Sequence, residues 1–125
     1  MISVETGFAY LERLIAWLLA EHVENLGYEV CGSAADEDEA VRLAGSTRPD
    51  LILMDVRLRG AGDGIKATEA IRATLPAVPV VFCTAYAGDP ATRGRMAAAG
   101  AAAILAKPIL PEQLGPLLGR LLGSA

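Results

Sequence analysis

Along this chain, short apolar runs alternate with segments in which apolar residues recur every three or four positions. The runs at 51–54 and 78–83 are continuously apolar, as strands covered on both faces require, and the one proline of the second run stands near its start. Weaker strand patterns stand at 28–32 and 101–106. Strand and helix patterns in alternation are typical of an α/β fold with a parallel sheet.

The helical segments combine apolar positions at helical spacing with capping residues at their ends. They are a helix ending near Leu26 before the cap Gly27, one from the cap Asp36 to about Ala44, one at 65–73, one opened by Asp89-Pro90 and closed by Gly100, and one at 110–122. Gly115 and Pro116 lie inside the last stripe, so we predict that this helix bends or restarts there.

The beginning of the chain allows two interpretations. Its helical stripe extends back through Leu11 and Phe8, with Ser3 as a candidate cap, so that residues 1–26 could form one long helix. We favour a strand at 7–11, because a doubly wound sheet otherwise lacks a central member. In the long-helix alternative, two chains would complete their sheets by exchange.

Composition and charge narrow the class of protein. With 125 residues, of which 53% are hydrophobic, the chain fits a single domain at 1–125 with a full core. Its net charge of −4 argues against direct nucleic-acid binding, which needs clustered Lys and Arg. We find neither the apolar stretch of about 18 residues that a membrane span requires nor the basic region of a signal peptide. Cys31 and Cys83 fall in apolar runs, so we predict buried thiols and a cytoplasmic location.

Three polar residues that follow apolar strand patterns carry the candidate chemistry. Asp55 follows one predicted strand, Thr84 the next and Lys107 the last. Ligands collect at the carboxyl ends of the strands in open parallel sheets, so we expect these side chains to meet at one edge. A carboxylate nucleophile beside a hydroxyl and an ammonium suits phosphoryl transfer. In the alternative interpretation each residue serves local structure only, as a loop cap, a backbone hydrogen bond or a solvated charge.

A set of sequence segments is more specific than these residues alone. The segments are Leu-Gly-Tyr-Glu-Val (26–30), Arg-Pro-Asp-Leu-Ile-Leu-Met-Asp (48–55), Asp-Gly-Ile (63–65), Val-Pro-Val-Val-Phe-Cys-Thr-Ala-Tyr (78–86), Gly-Ala-Ala (100–102) and Lys-Pro (107–108). With them, residues 26–110 resemble the receiver domains of two-component response regulators. The resemblance implies a flavodoxin-like, doubly wound sheet of five parallel strands. It also implies that a histidine kinase or phosphotransfer protein supplies a phosphoryl group to Asp55, with Mg²⁺ as cofactor.

The acidic pair that holds the metal ion in this family is not matched. Receiver domains carry two adjacent acidic residues at the end of the first strand, and counting back from the Leu-Gly-Tyr segment places Tyr10 and Leu11 there. Neither side chain is a ligand for Mg²⁺, which prefers oxygen.

The metal ligands that remain from the family pattern are Asp55 and the backbone carbonyl of Arg57. Glu12, or Glu5 farther back, could substitute for the acidic pair if the register of the first strand is shifted. We therefore expect Mg²⁺ binding to be weak or absent.

A second departure from the family concerns the output signal. The family usually has an aromatic residue where this chain has Ile104, and that ring moves inward together with the Thr hydroxyl; isoleucine has no ring to move. We predict a phosphorylatable receiver that is not an enzyme beyond self-phosphorylation from a phosphodonor and autodephosphorylation. The alternative is a pseudo-receiver, in which the same fold is an interaction or dimerisation module with little or no phosphorylation. The apolar stripe at 110–122 and the alanines near 97–103 also predict a homodimer.

Overall fold

A computed structural model describes the chain at residues 2–4, 10–34, 36–56, 63–107 and 109–122, with the backbone alone at 2–4, 10–17 and 111. The strands are β1 (Ile2–Val4), β2 (Gly32–Ala34), β3 (Ile52–Asp55), β4 (Val80–Thr84) and β5 (Ala103–Ala106). They pair in parallel as one five-stranded sheet in the order β2-β1-β3-β4-β5. The doubly wound α/β fold predicted from the sequence is therefore confirmed.

A helix follows each strand along the chain. The helices are α1 (Tyr10–Asn25), α2 (Glu37–Thr47), α3 (Gly64–Arg72), α4 (Pro90–Ala98) and α5 (Pro111–Leu122). Asp36 caps α2 by accepting a 2.8 Å hydrogen bond from the Glu39 N–H, and Asp89 caps α4 by accepting one from the Thr92 N–H. The predicted caps of these two helices are confirmed. None of the helices in the described part of the chain has the length and apolar character that a membrane crossing needs.

Each face of the sheet carries its own apolar core, because alternate residues of a strand point to opposite faces. One core joins β3 and β4 to α2, α3 and α4; its members include Ala40, Ala44, Ile52, Met54, Ile65, Ile71, Val80, Phe82 and Met96. The other joins the same strands to α1 and α5; its members are Val23, Leu51, Leu53, Val81, Cys83, Leu114, Leu117 and Leu118. The continuous apolar runs of β3 and β4 thus follow from burial on both sides.

The first strand differs from its prediction. It lies at Ile2–Val4, where it pairs with both β2 and β3, while Tyr10 and Leu11 are the first residues of α1. The strand predicted at 7–11 and the single helix over 1–26 are both wrong, and residues 7–9 lie outside the described residues. Tyr10 and Leu11 belong to the helical stripe and not to a strand. A strand of three residues carries too little pattern to be detected beside that stripe.

Three further predictions are wrong in their details. The second strand is Gly32–Ala34 rather than 28–32, and Cys31 precedes it as an exposed residue, not a buried one. Tyr28 and Val30 nevertheless pack against the core of α1 and α5, which explains their apolar pattern. Of the two outcomes predicted at Pro116, a bend or a restart, the restart is wrong, because the helix continues through this residue.

Arg72, at the end of α3, forms hydrogen bonds to two loop segments at the amino-terminal edge of the sheet. Its guanidinium donates hydrogen bonds to the backbone carbonyls of Val78, which precedes β4, and of Gly100, which follows α4, the latter at 3.0 Å. A longer bond of 3.4 Å reaches the carbonyl of Ala99. One side chain therefore binds backbone acceptors from two segments that lie outside the helices and strands.

We expect Arg72→Met to destabilise the fold by about 2 kcal/mol, because charge-assisted hydrogen bonds to partly buried carbonyls are lost while the apolar stem is kept. Urea unfolding measures the change. The matched control is Arg42→Met on the exposed face of α2, which should shift the free energy of unfolding by less than about 0.5 kcal/mol. Equal effects of the two substitutions would contradict the role given to Arg72.

Candidate functional site

The centre of the site is an ion pair between Asp55, the last residue of β3, and Lys107, the residue after β5. The Lys107 Nζ donates a hydrogen bond to Asp55 Oδ2, and the carboxylate is buried while the ammonium is about one-third exposed. The two residues are separated by the whole of β4, across which register pairs Asp55 with Cys83 and Cys83 with Leu105. The fold therefore brings together two of the three residues singled out from the sequence.

Thr84 ends the intervening strand, is fully buried and lies beside Lys107. Its carbonyl accepts a 3.0 Å hydrogen bond from the Lys107 N–H, which fixes the backbone of the two residues relative to each other. Its hydroxyl oxygen accepts a 2.9 Å hydrogen bond from the Tyr86 N–H, as the local interpretation of Thr84 expected. Because the oxygen is the acceptor in this bond, the hydroxyl keeps its own hydrogen for donation.

Cys83 belongs to β4, the strand that separates the strands of Asp55 and Lys107. Alternation along the strands places its side chain on the face that holds Leu53 and Leu105, rather than on the face of Phe82. Burial, with a smaller contribution from the negative charge of Asp55, raises the pKa of the Cys83 thiol to about 12. The thiol is therefore neutral at physiological pH and is no competing nucleophile beside the carboxylate.

Gly64, the first residue of α3, packs against the backbone of Asp55. Its N–H donates a 2.8 Å hydrogen bond to the carbonyl of Val56, and a Cβ built on Gly64 would overlap the carbonyl oxygen of Asp55. The start of α3 thus packs directly on the main chain of the candidate nucleophile, at a separation that only glycine permits.

Asp63, just before Gly64, connects three helices. Its Oδ1 accepts a 2.8 Å hydrogen bond from the Ile65 N–H as the cap of α3, and its Oδ2 accepts a 2.6 Å bond from Arg95 Nη2 of α4. Its own N–H donates to Glu37 Oε1 of α2 at 2.6 Å. Partial burial alone would raise the pKa of Asp63, but the bonds from Arg95 and from the cap N–H groups hold it below its ordinary value.

The described residues do not by themselves complete a magnesium site. Among them, no three His, Cys, Asp or Glu side chains are grouped so that they could hold a metal ion. The Tyr10 and Leu11 positions, to which the acidic pair was assigned, lie in α1 and not at the end of a strand, and Glu12 is in the first turn of the same helix. The carbonyl of Arg57, the other predicted ligand, lies outside the described residues.

Asp63, Gly64 and Arg95 have no role predicted from the sequence. The Asp-Gly pair had a detectable signal, because an aspartate just before a helical pattern is a cap candidate. For Arg95 no local signal exists, since its partner is 32 residues away in the sequence.

The comparisons with known proteins agree with this geometry. The model of the response regulator receiver domain family matches residues 12–118. The chain belongs to this family, whose members are generally non-enzymatic signalling domains that interact with histidine kinases or phosphotransfer proteins.

Its relatives include regulators and receiver domains of known structure. The chain is 42% identical over 108 residues to the transcriptional regulatory protein PdtaR of Mycobacterium tuberculosis, covering 86% of this chain and 51% of that protein. It is 38% identical over 112 residues to the phyllosphere-induced regulator PhyR of Methylorubrum extorquens, covering 89% of this chain and 40% of that one. The chain thus spans about half or less of these curated relatives.

A similar solved structure is the receiver domain of the sensor histidine kinase PA1611 from Pseudomonas aeruginosa, with a TM-score of 0.82 and 35% identity over 98% of this chain and 96% of that one. That structure has a magnesium ion coordinated in its active site cleft.

We expect Gly64→Ala to destabilise the protein by about 3 kcal/mol or more, because the new methyl group overlaps backbone and not a flexible side chain. Gly45→Ala is the matched control, since nothing lies within 4 Å of a Cβ at this position of α2. Removing a glycine there should stabilise the protein by about 0.5 kcal/mol. Thermal or urea unfolding measures both, and two changes of the same sign would contradict this account.

Proposed function

We propose that this chain is a phosphoacceptor receiver in which Asp55 takes a phosphoryl group from a histidine kinase or a phosphotransfer protein and signals through protein contacts. The observation that supports the proposal is the buried carboxylate of Asp55 paired with the ammonium of Lys107 at the carboxyl edge of a parallel sheet. A buried carboxylate with a cationic partner is a frequent feature of functional sites, and this edge is where open α/β sheets bind ligands.

The proposed reaction divides among the three residues. A carboxylate oxygen of Asp55 forms a bond to phosphorus, and the bond from phosphorus to the donor's imidazole nitrogen or acyl oxygen breaks, so that the leaving group departs with the electron pair. The Lys107 ammonium neutralises charge on the transferred oxygens, since its three N–H groups can donate to a phosphoryl oxygen and a carboxylate together. Thr84 donates its hydroxyl hydrogen to another of these oxygens. The product is an acyl phosphate on Asp55.

Incubation with acetyl phosphate and Mg²⁺ should add one phosphoryl group to the protein, detected as a gain in intact mass. Asp55→Asn should abolish the gain, because the amide is not a nucleophile toward phosphorus. Asp50→Asn, at an exposed aspartate before β3, is the matched control and should leave the gain unchanged. No gain in the unaltered protein at high Mg²⁺ would exclude the proposed function.

A second candidate function is a pseudo-receiver, a module for protein interaction or homodimerisation without phosphorylation. The observation that favours it is the position of Ile104, which pairs with Phe82 in register and packs against the core on the α4 side. An aliphatic residue there cannot reproduce the movement of an aromatic ring. Mass spectrometry of the phosphodonor reaction separates the two candidates, and light scattering tests the homodimer.

We further propose that Glu5, rather than Glu12, provides the second acidic residue for Mg²⁺. The register pairs Ser3 with Leu53, and Glu5 comes as far after Ser3 in the sequence as Asp55 comes after Leu53. Glu12 belongs to helix α1 instead. With a single acidic residue in place of a pair, Mg²⁺ binding would be weak, as the sequence suggested.

We expect Glu5→Gln to raise the Mg²⁺ concentration that half-maximal phosphorylation requires by about tenfold, because loss of a ligating or ligand-orienting group commonly weakens a metal site by that much. Glu12→Gln should leave the requirement unchanged and is the control. A titration of the phosphodonor reaction with Mg²⁺ measures both. A larger effect of Glu12→Gln than of Glu5→Gln would instead assign the second acidic residue to helix α1.

A further inference from the structure

The ion pair between Arg95 and Asp63 is connected to the backbone of Asp55 through a short series of contacts. Arg95 of α4 donates a 2.6 Å hydrogen bond to Asp63, and Asp63 is followed by the glycine whose backbone packs on Asp55. The remaining bonds of Asp63 go to α3, through its cap, and to α2, through Glu37. Arg95 is thus the contact through which α4 takes part in this junction.

The junction leaves little room for independent movement. The Gly64 N–H is bonded to the Val56 carbonyl, and no Cβ fits between Gly64 and the Asp55 carbonyl, so these are contacts of backbone with backbone. Backbone contacts cannot be relieved by a change of rotamer, in contrast to contacts of flexible side chains. A displacement of Asp63 is therefore transmitted to the main chain at Asp55.

The Arg95–Asp63 pair contributes little to global stability. The Arg95 side chain is 48% exposed and that of Asp63 is 20% exposed, and ion pairs near the surface contribute about 0–1 kcal/mol. Its effect is instead geometric, because a charge-assisted hydrogen bond has a preferred length and direction. Because the bond contributes little to stability, it can be removed without unfolding the protein, and its geometric effect can be tested by itself.

We propose that Arg95 is a positioning residue for the phosphoacceptor site, which holds Asp63 and, through the backbone of Gly64, the main chain of Asp55, and so couples helix α4 to phosphoryl transfer. This inference builds on the proposed function. Coupling between two sites is reciprocal for equilibria, so phosphorylation of Asp55 should in turn change the geometry of the Arg95–Asp63 bond. The coupling runs through charged and backbone groups and needs no aromatic residue at Ile104.

The first test measures hydrogen exchange of the Gly64 amide by NMR, in protein without a phosphodonor. Arg95→Met should accelerate this exchange about threefold or more, because the junction opens locally more often without its tether to α4. Arg42→Met on α2 removes an exposed arginine of equal charge and should leave the exchange unchanged. Thermal unfolding of both variants should stay close to that of the unaltered protein.

The second test measures the rate of phosphorylation by acetyl phosphate. Arg95→Met should slow it about threefold or more, while Arg42→Met should not, since small displacements of a reacting group reduce rates strongly. Asp63→Asn retains a capping oxygen for α3 but loses the charge that attracts Arg95, and it should slow the reaction as well. If Arg95 acted only by attracting the anionic donor, Asp63→Asn would accelerate the reaction instead.

The double variant tests whether Arg95 acts through Asp63. If Arg95 acts through Asp63, the combination of Arg95→Met with Asp63→Asn should be no slower than the slower single variant, as expected of two partners in one interaction. Fully multiplicative effects, unchanged Gly64 exchange in Arg95→Met, or unchanged phosphorylation with faster exchange would each overturn the proposal. If the unaltered protein accepts no phosphoryl group, the proposed function fails, while the exchange test still decides whether Arg95 positions the backbone at Asp55.

Discussion

The site depends on a lysine that reaches a buried carboxylate across an intervening strand. Asp55 is almost excluded from solvent, and an unpaired charge in such a place would be strongly unfavourable. Lys107 provides the compensating charge, because its ammonium contacts the carboxylate directly although the strand β4 separates the two residues in the sheet. The parallel register of β3, β4 and β5 is therefore what makes an ionised aspartate tolerable at this edge.

The same pairing suits the proposed reaction. Truncating one partner of a buried ion pair leaves the other uncompensated, so stability alone would favour keeping Asp55 and Lys107 together whether or not the site is used. What a purely structural pair would not need is Thr84, buried beside them with a hydroxyl hydrogen still available for donation. The combination fits a group that gains negative charge next to Asp55, where both donors would find new acceptors.

The parts of the fold that the sequence predicted correctly are those with strong local signals. The strands β3 and β4 are apolar on both faces, and α2 and α4 have capping aspartates whose side chains make the expected bonds. The strand Ile2–Val4 could not be predicted, because its three residues gain their stability from two neighbouring strands rather than from their own pattern. The positions of Asp55 and Lys107 followed from the strand ends, whereas the junction at Asp63 joins residues far apart in the sequence.

The contacts that connect Asp55 with α4 matter most for how the domain signals its phosphorylation state. Ile104 lies in the same apolar core as Met96 of α4, so the strand that would carry a moving ring in this family is here held by close-packed aliphatic contacts. An aliphatic side chain at position 104 has no ring whose movement could change the contacts between β5 and α4. The polar contacts at the carboxyl edge are directional and partly exposed, so they can break and re-form at low cost. The Gly64–Asp63–Arg95 contacts are therefore a polar route from the phosphoacceptor backbone to α4 that does not depend on the hydrophobic core.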